Sequence, residues 1–116
     1  MTRTRFEINP SKKMNLNDLR NALFSYLIAK QDGGEFILRI NDANQNQYDL
    51  NAEEFVYQVL NTFNLEYDEG PKKEIEGTSY IQSERLNIYK SYAEKLVKKG
   101  KAYYCFCTKE ELNRKT

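Results

Sequence analysis

The sequence has no histidine and only two cysteines among its 116 residues. Without histidine, this chain offers neither histidine acid–base catalysis nor histidine metal ligation. The two cysteines, Cys105 and Cys107, are one residue apart, so they cannot easily form a disulfide with each other. Free cysteines at this spacing are typical of a protein that works in a reducing compartment.

Long apolar runs and a strong charge of one sign are also missing. No apolar stretch approaches the ~20 residues that span a bilayer, and the segment Met1–Phe6 has no apolar signal core. The formal net charge of +1 gives no strong attraction to nucleic acid or to an anionic membrane. We therefore expect a cytoplasmic protein with neither a membrane nor a DNA partner, in which any RNA contact depends on a local patch.

The residues that are present predict one small domain over 1–116, with 40% hydrophobic and 30% charged residues. Polar and apolar residues alternate over Arg3–Ile8, which indicates a first strand. The segment Glu35–Ile40 indicates a second strand, with a helical pattern between the two. Strand, helix and strand within ~40 residues predict a right-handed parallel crossover.

The first helix has clear start and stop signals. Asn15 or Asn17 can serve as its N-cap, and Asp18 lies in the first turn, where a negative charge suits the helix dipole. Gly33 and Gly34 are expected to end it. Five apolar side chains recur at helical spacing and are predicted to face inward: Leu16, Leu19, Leu23, Tyr26 and Leu27.

A second helix is predicted to start at Asn51, because Glu54 three residues later completes a capping-box pattern. Its predicted inward residues are Ala52, Phe55, Val56, Val59, Leu60 and Phe63. The segment Leu65–Ser79 contains two glycines and a proline, which indicates a long connection.

The last third of the chain predicts a helix, a strand and the start of another helix. The third helix is expected to open at Ser83. Its predicted inward residues are Leu86, Tyr89, Ala93, Leu96 and Val97. The segment Lys101–Cys107 indicates a third strand, and Thr108 with Glu111 suggests a further capping box. Because the chain stops soon after this helix start, we expect a truncated or degenerate unit.

Several blocks of the sequence resemble bacterial glutamyl-tRNA synthetases, in the family's order and spacing: Asn21–Leu27, Gly33–Ile40, Gln82–Tyr89 and Gly100–Thr108. The resemblance implies an α/β, Rossmann-like class I synthetase fold, here a partial parallel sheet with flanking helices from the N-terminal half of the catalytic domain. The family activates glutamate with ATP and transfers it to tRNA. Its lysine-rich signature loop and anticodon-binding region have no counterpart in this sequence.

The family's ATP signature is altered here. Where the family has His-Ile-Gly-Gly or His-Ile-Gly-His, this chain has Asn15-Leu16-Asn17-Asp18, and only Pro10 remains of the preceding Pro-Ser-Pro-Thr-Gly. The resemblance therefore implies a vestigial ATP site at Asn15, Asn17 and Asp18. Phosphates bind a helix N-terminus through free N–H groups and close backbone approach, which an asparagine side chain and a carboxylate both oppose. Without any ligand, the same three residues are good helix-cap and first-turn residues.

The family's glutamate site is also altered. Arg5 matches an arginine that contacts the substrate glutamate, although a solvated strand arginine is the alternative interpretation. Asn41 replaces a glutamate that helps to hold the substrate amino group, and Asn9 is a further candidate glutamate-binding position. Of the Glu-Asp-Thr-Asp that follows the family's second strand, only Asp42 remains.

Three other features have simpler structural interpretations. Cys105 and Cys107 match a Cys-x-Cys that some family members use as half of a zinc site, but zinc needs four ligands, so we expect strand packing and no metal. Most of the nine tyrosines are expected in the core. Four lysines near the end of the third helix complement its dipole, with RNA-backbone binding as the alternative: Lys95, Lys98, Lys99 and Lys101.

Three functions are consistent with the sequence. The first is a glutamyl-tRNA synthetase-like protein that cannot aminoacylate tRNA by itself and needs no cofactor, with ATP and magnesium only if the site still works. The second is a divergent split synthetase that activates glutamate with ATP together with a separate C-terminal part. The third is a small RNA- or protein-binding module whose exposed sheet edge invites a homodimer or a partner protein, with tRNA as a further candidate.

Overall fold

A computed structural model describes residues 1–115 and divides the chain into two compact units. The first unit runs from Met1 to Arg85, and the second begins at Leu86. No helix within the described residues is both long and apolar enough to cross a membrane. The expectation of one domain over 1–116 stays a prediction, and the two units are described one after the other.

The first unit contains the predicted crossover. Strand β1 spans Arg3–Ile8, helix α1 spans Leu16–Gln31 and strand β2 spans Glu35–Ile40. The two strands pair in parallel and in register, starting with Arg3 opposite Glu35. Both predicted strands are confirmed, because the period-two alternation of polar and apolar residues matches the two faces of a sheet covered on one side.

The ends of α1 follow the predicted caps. Asn15 is the N-cap, and its side chain and that of Asp18 each accept the other residue's backbone N–H. At the other end, Gly33 has a φ of +62°, a conformation that residues with side chains rarely adopt. Gly34 passes so close to β1 that an added Cβ would lie 1.8 Å from the carbonyl oxygen of Thr2. The two glycines are therefore required for different reasons.

The hydrophobic core lies between one face of the sheet and two helices, α1 and α2 (Leu50–Thr62). Its buried members are Phe6, Ile8, Met14, Ala22, Ala29, Phe36, Leu38, Ile40, Val56, Leu60 and Leu65. From α1 the fully buried residues are Ala22 and Ala29, while the predicted inward residues Leu16, Leu23 and Leu27 are exposed. That part of the prediction is wrong: small alanines face the sheet, and the leucine-bearing side of the helix has no cover in the described part of the chain.

Helix α2 spans Leu50–Thr62 and begins earlier than predicted. Its N-cap is Asp49, whose carboxylate accepts the backbone N–H of Asn51 at 2.9 Å. The predicted start at Asn51 is therefore wrong, because an aspartate two residues earlier captures the first free N–H groups. Three of the predicted inward residues are buried, whereas Phe63 is 55% exposed. The buried three are Ala52, Val56 and Leu60.

The predicted long connection Leu65–Ser79 contains neither a helix nor a strand. Glu69 in this connection and Tyr80 just after it nevertheless accept hydrogen bonds from the outer edge of β2. The N–H of Leu38 donates to the carbonyl of Glu69 at 2.9 Å, and the N–H of Ile40 donates to the carbonyl of Tyr80 at 3.0 Å. The outer edge of β2 is thus covered, while within residues 1–115 the only strand paired with β1 is β2.

The third helix starts later than predicted. A 3-10 turn occupies Gln82–Arg85, and helix α3 spans Leu86–Lys98, so Ser83 lies in the turn and not at the α-helix start. None of the described residues of α3 is buried; Leu86 is 61% and Leu96 48% exposed. The prediction of a buried face on α3 is therefore wrong.

The predicted third strand is also wrong. Residues Lys101–Cys107 are irregular, and Tyr103 and Phe106 are 87% and 90% exposed. A strand needs a neighbour for its backbone groups, and none pairs with this segment in the described structure. The predicted capping box after it is confirmed: the N–H of Thr108 donates to the Glu111 carboxylate at 2.7 Å, and α4 spans Lys109–Lys115.

The prediction that most tyrosines lie in the core is wrong too. The part of the chain described contains no fully buried tyrosine. Tyr26, Tyr57 and Tyr67 are partly buried and pack against the core of the first unit. Tyr92 and Tyr104 in the second unit are 63% and 65% exposed, because the segments that carry them are themselves uncovered.

Candidate functional site

The face of the sheet opposite the core is polar and strongly charged. Residues on β1 that alternate with the core residues point to this face, and the parallel register places their β2 partners beside them. The pairs are Arg3 with Glu35, Arg5 with Ile37, and Glu7 with Arg39. A charged face on a parallel sheet is unusual, since such sheets are normally covered on both sides by apolar packing. This polar face is therefore a candidate functional site.

Glu7 brings together the candidate glutamate-binding residues Arg5 and Asn41. Its Oε1 accepts a hydrogen bond from Asn41 Nδ2 at 2.9 Å. Its Oε2 lies 3.6 Å from Arg5 Nη2 and 3.7 Å from Arg39 Nε. The backbone N–H of Asn41 donates to the Ile8 carbonyl at 2.8 Å, which fixes the asparagine at the end of β1. Two guanidinium groups and one amide thus surround a single carboxylate.

A second carboxylate on this face, Glu69, is 5% exposed. Both of its oxygens lie 2.6 Å from Arg3 Nη2, and the Tyr80 hydroxyl donates to Oε2 at 2.6 Å. Hydrogen bonds from Tyr80 and from Arg3 stabilise the charged form and hold the pKa of Glu69 below its usual range. The arrangement binds the connection after α2 to the first strand.

A cavity of about 210 Å³ lies beside these residues. Its lining includes four guanidinium groups and one buried carboxylate, from Arg3, Arg5, Arg39, Arg85 and Glu69. Tyr80 and Ser79 contribute hydroxyl groups. Such a surface suits a small anion with hydrogen-bond acceptors, because guanidinium groups match carboxylate and phosphate oxygens well.

A larger cavity of about 350 Å³ lies near the end of α2, and none of the candidate residues lines it. Its two lysines already face carboxylates: Lys73 Nζ lies 2.7 Å from Glu66, and Lys72 Nζ lies 3.9 Å from Glu54. The charge in this cavity is therefore balanced by the protein itself.

The start of α1 holds the three residues at the altered ATP signature. The N–H of Asp18 donates to Asn15 Oδ1 at 3.0 Å, and the N–H of Asn15 donates to Asp18 Oδ2 at 2.9 Å. Asn17 is exposed beside them. The reciprocal pair satisfies one N–H of the helix start and one just before it, and places a carboxylate there. The interpretation of Asn15 and Asp18 as helix caps is confirmed.

The structure thus brings the candidate residues together in two groups and leaves one outside. Asn15, Asn17 and Asp18 form the helix start, and Arg5 with Asn41 meets Glu7. Asn9 is exposed and joins neither group within the described residues. Sequence reasoning missed Glu7 and Glu69 as parts of the site. The alternation along β1 could have revealed Glu7, since it lies two residues from Arg5 on the same face.

Asp42 also has a role that the sequence did not predict. Its side chain is buried at the end of β2, with 6% of the residue exposed. It accepts the N–H of Ser83 at 2.7 Å and the Ser83 hydroxyl at 2.5 Å, and Gln45 Nε2 lies 3.1 Å away. Asp42 therefore attaches the turn before α3 to the end of the sheet.

A metal site would need a cluster of ligands. Within residues 1–115 no group of three or more histidine, cysteine, aspartate or glutamate side chains is placed to hold an ion. Cys105 and Cys107 are free, the first exposed and the second partly buried. The predicted packing of these cysteines in a strand is wrong, since the segment is irregular.

Comparison with known proteins agrees with the parallel β1–α1–β2 crossover seen in the structure. Residues 1–116 match the family model described as tRNA synthetases class I (E and Q), catalytic domain. The chain belongs to this family. Among curated class I synthetases, it is 50% identical to the glutamate–tRNA ligase of Clostridium kluyveri over 111 residues, which are 96% of the chain and 23% of that relative. The same identity and coverage hold for the glutamate–tRNA ligase of Clostridium botulinum strain Hall.

Solved class I synthetase structures resemble the chain as well. The crystal structure of a glutamate tRNA ligase from Elizabethkingia meningosepticum in complex with its amino acid has a TM-score of 0.85 and 38% identity, covering 97% of this chain and 22% of that one. These findings confirm the predicted α/β, Rossmann-like fold and the resemblance to the N-terminal part of a glutamyl-tRNA synthetase catalytic domain. The chain spans less than a quarter of the length of these relatives.

Proposed function

We propose that this chain is a glutamyl-tRNA synthetase-like protein that does not aminoacylate tRNA by itself. One observation carries the proposal: the reciprocal hydrogen bonds between Asn15 and Asp18 at the start of α1. The N–H groups at a helix start are what an anionic ligand such as a phosphate would bind. Here a side chain of the protein already occupies one of them.

The same pair opposes a nucleotide electrostatically. Asp18 places a carboxylate at the helix start, where a triphosphate would bring several negative charges, and like charges repel strongly in a partly desolvated site. Asn17 adds a side chain where glycine would allow close approach to the backbone. The residues present at the start of α1 therefore do not fit ATP.

The candidate glutamate-binding residues support the same proposal. Arg5 and Asn41, the candidate positions for amino-acid binding, both contact the carboxylate of Glu7. Asn9, the third candidate, lies outside this cluster. An amino acid would have to displace an internal partner before it could bind there. The free cysteines and the tRNA ligase relatives support a cytoplasmic location.

The deciding experiment is a calorimetric titration of the full chain with magnesium-ATP, together with an ATP–pyrophosphate exchange assay with glutamate. We expect no heat of binding and no exchange. A matched variant with Asn15→His, Asn17→Gly and Asp18→Gly removes the opposing groups and is expected to bind magnesium-ATP more tightly than the parent chain. Micromolar binding of magnesium-ATP by the parent chain, or exchange activity, would refute the proposal.

A second candidate function is one part of a split synthetase that activates glutamate with ATP together with a separate C-terminal part. It is favoured by the uncovered apolar surfaces within the described residues. On α1, Phe24 and Ile28 are 54% and 53% exposed, and on α3, Leu86 and Tyr92 are 61% and 63% exposed. Exposed large apolar residues in such numbers indicate missing protein contacts.

The exposed apolar surfaces could contact either a separate C-terminal part or a second copy of this chain. Purification from the source organism and light scattering distinguish these two partners. A split enzyme should co-purify with a chain that carries the lysine-rich signature, and a homodimer should show twice the chain mass in light scattering. A free monomer at high concentration would contradict both. The double substitution Phe24→Ser and Ile28→Ser should abolish either association if the exposed side of α1 is the contact surface.

A third candidate, RNA binding, is favoured by the charge distribution. The segment 86–116 holds eight of the eighteen basic residues but only three of the seventeen acidic ones. Exposed aromatic rings lie in the same unit; the rings of Tyr104 and Phe106 are stacked with centroids 6.4 Å apart. Basic side chains beside exposed rings suit a single-stranded polynucleotide.

A tRNA gel-shift assay at two salt concentrations tests the RNA candidate. If it is correct, binding should weaken as salt rises, because released counterions drive such binding. The paired change Lys98→Ala and Lys99→Ala should weaken it, while the change Lys12→Ala and Lys13→Ala in the other unit should not. The absence of any shift at low salt would exclude this function.

A further inference from the structure

The larger cavity, of about 350 Å³, is lined by residues from the end of α2 and from the connection that follows it. It shares no lining residue with the cavity on the polar face of the sheet. Its volume falls at the lower end of the ~300–1,000 Å³ that small-molecule sites occupy. Buried Leu60 and Leu65 line it, together with the partly buried rings of Tyr57 and Tyr67. The apolar part of the cavity therefore suits a small apolar or aromatic group.

The two tyrosine rings are held in place by the protein itself. The Tyr57 hydroxyl donates to Glu53 Oε1 at 2.7 Å, and the Tyr67 hydroxyl donates to the carbonyl of Pro71 at 2.7 Å. The Tyr67 ring also lies against Gly70, where an added Cβ would be 2.8 Å from two ring carbons. Because both rings are already positioned, a ligand that packs on them loses little affinity to side-chain ordering.

Charged groups of both signs lie at the cavity. Lys73 Nζ is 2.7 Å from Glu66 Oε1, which leaves this carboxylate room for further donors. Lys72 Nζ lies 4.5 Å from the centre of the Tyr57 ring and 3.9 Å from Glu54 Oε1. Because the Lys72 side chain is 68% exposed, water weakens its pair with Glu54, and another carboxylate can replace it. The cavity therefore offers one ammonium and one carboxylate to a ligand.

The backbone of this cavity is unusual at two residues. Asn64 and Lys72 have φ values of +55° and +67°, and they are the two non-glycine residues with positive φ within residues 1–115. Both line the cavity. Asparagine tolerates this conformation after a helix, whereas a lysine adopts it rarely, and such residues cluster at binding sites. Asn64 and Asn61 also supply amides, which can accept from an ammonium and donate to a carboxylate.

We propose that this cavity binds a free, zwitterionic amino acid with an apolar or aromatic side chain. The carboxylate of the ligand pairs with the Lys72 ammonium, and its ammonium pairs with the Glu66 carboxylate. Its side chain packs on the buried leucines and the tyrosine rings. Since the protein balances the charge of the cavity, a ligand without net charge leaves no charge uncompensated. A free amino acid carries both charged groups on one carbon atom, whereas the end of a peptide carries one.

Isothermal titration of the full chain with L-phenylalanine, L-leucine and two blocked analogues tests the proposal. N-acetyl-L-phenylalanine lacks the ammonium and L-phenylalaninamide lacks the carboxylate, so each should bind about tenfold or more weakly than L-phenylalanine. L-Glutamate should also bind about tenfold or more weakly, because its charged side chain would face the leucines. Absence of heat with both L-phenylalanine and L-leucine at millimolar concentration would overturn the proposal, as would equal binding of L-phenylalanine and both analogues.

Two variants assign the charges. Lys72→Met removes the ammonium and keeps an unbranched apolar side chain, and Glu66→Gln removes the charge of the carboxylate. Each should weaken the binding of L-phenylalanine about tenfold. Lys72→Met should not weaken the binding of L-phenylalaninamide, and Glu66→Gln should not weaken that of N-acetyl-L-phenylalanine, since these analogues lack the group that the missing charge would bind. Lys12→Met changes an exposed lysine outside the cavity and should bind like the parent chain.

The side chains of Lys72 and Glu66 are 68% and 81% exposed, so we expect both variants to fold, and circular dichroism checks this. If one variant is unfolded, the other decides; if both are, the blocked analogues decide with the parent chain. Binding of L-phenylalanine that no folded variant weakens would lie elsewhere and overturn the proposal. The magnesium-ATP titration probes the start of α1, whose residues do not line this cavity, so the two proposals fail independently.

Discussion

The carboxylate of Asp42 binds both the backbone N–H and the hydroxyl of Ser83, at 2.7 and 2.5 Å. The two residues are 41 positions apart in the sequence, at the end of β2 and in the turn that precedes α3. Since Asp42 is almost fully buried, its charge must be balanced by these donors and by Gln45. The contact therefore stabilises the end of the sheet and holds the turn Gln82–Arg85 against it.

Loss of the Asp42 carboxylate should be costly. We expect Asp42→Ala to lower the free energy of unfolding by about 2–3 kcal/mol, because it leaves the Ser83 donors without their charged acceptor. Ser83→Ala removes one of those donors and should cost about 1 kcal/mol. Chemical denaturation measures both. Asp32→Ala is the control, since the hydrogen bonds of its side chain to Thr2 are solvent-exposed, and an equal loss there would contradict the assignment.

The capping pair at the start of α1 makes a separate prediction about stability. Asp18→Ala and Asn15→Ala should each lower the free energy of unfolding by about 1 kcal/mol, because each leaves an N–H at or just before the helix start without its partner. The double variant should cost less than the sum, since the two bonds form one reciprocal unit. Asn17→Ala is the matched control and should have little effect. Additive losses measured by urea denaturation would argue against a coupled pair.

The first half of the fold follows from local sequence patterns. The alternation over Arg3–Ile8 and Glu35–Ile40 has one buried and one polar face, and the cap residue Asn15 and the glycines after α1 mark where the helix begins and ends. These signals act within a few residues of one another, so they can be interpreted without tertiary information. That is why the crossover was predicted with its boundaries almost unchanged.

The second half could not be predicted in the same way. Lys101–Cys107 has the composition of a strand, but a strand forms only where another backbone supplies hydrogen bonds, and sequence pattern does not reveal a missing neighbour. The apolar side chains of α3 were likewise assigned to a core that the described residues do not provide. For the candidate site, Arg5 and Asn41 were identified from resemblance, whereas the role of Glu7 depends on the strand register.

Acid should destabilise the protein through Glu69. Its pKa is lowered in the folded state by the Tyr80 hydroxyl and the Arg3 guanidinium, so its contribution to stability is complete above the pKa of an unfolded glutamate, about 4.3. The contribution is lost as the pH falls through the lower folded-state pKa. Tyr80→Phe should therefore reduce the free energy of unfolding at pH 7 more than at pH 3.

The control for this pH dependence is Tyr67→Phe. The Tyr67 hydroxyl donates to the carbonyl of Pro71 at 2.7 Å, and that acceptor does not titrate. Its loss should lower stability by about the same amount at both pH values. If Tyr80→Phe also gave a constant loss from pH 7 to pH 3, the link between its hydroxyl and the charge of Glu69 would be wrong.

The two glycines after α1 should respond differently to the same substitution. Gly34→Ala places a Cβ 1.8 Å from the carbonyl oxygen of Thr2, and that oxygen also accepts the N–H of Glu35 at 2.9 Å. The start of β1 must move, and we expect a loss of about 2–4 kcal/mol in the free energy of unfolding. Gly33→Ala meets no atom within 4 Å but requires a φ of +62°, which costs about 1–2 kcal/mol. Equal losses in denaturation, or a larger loss at Gly33, would show that backbone conformation and not the approach to Thr2 limits this turn.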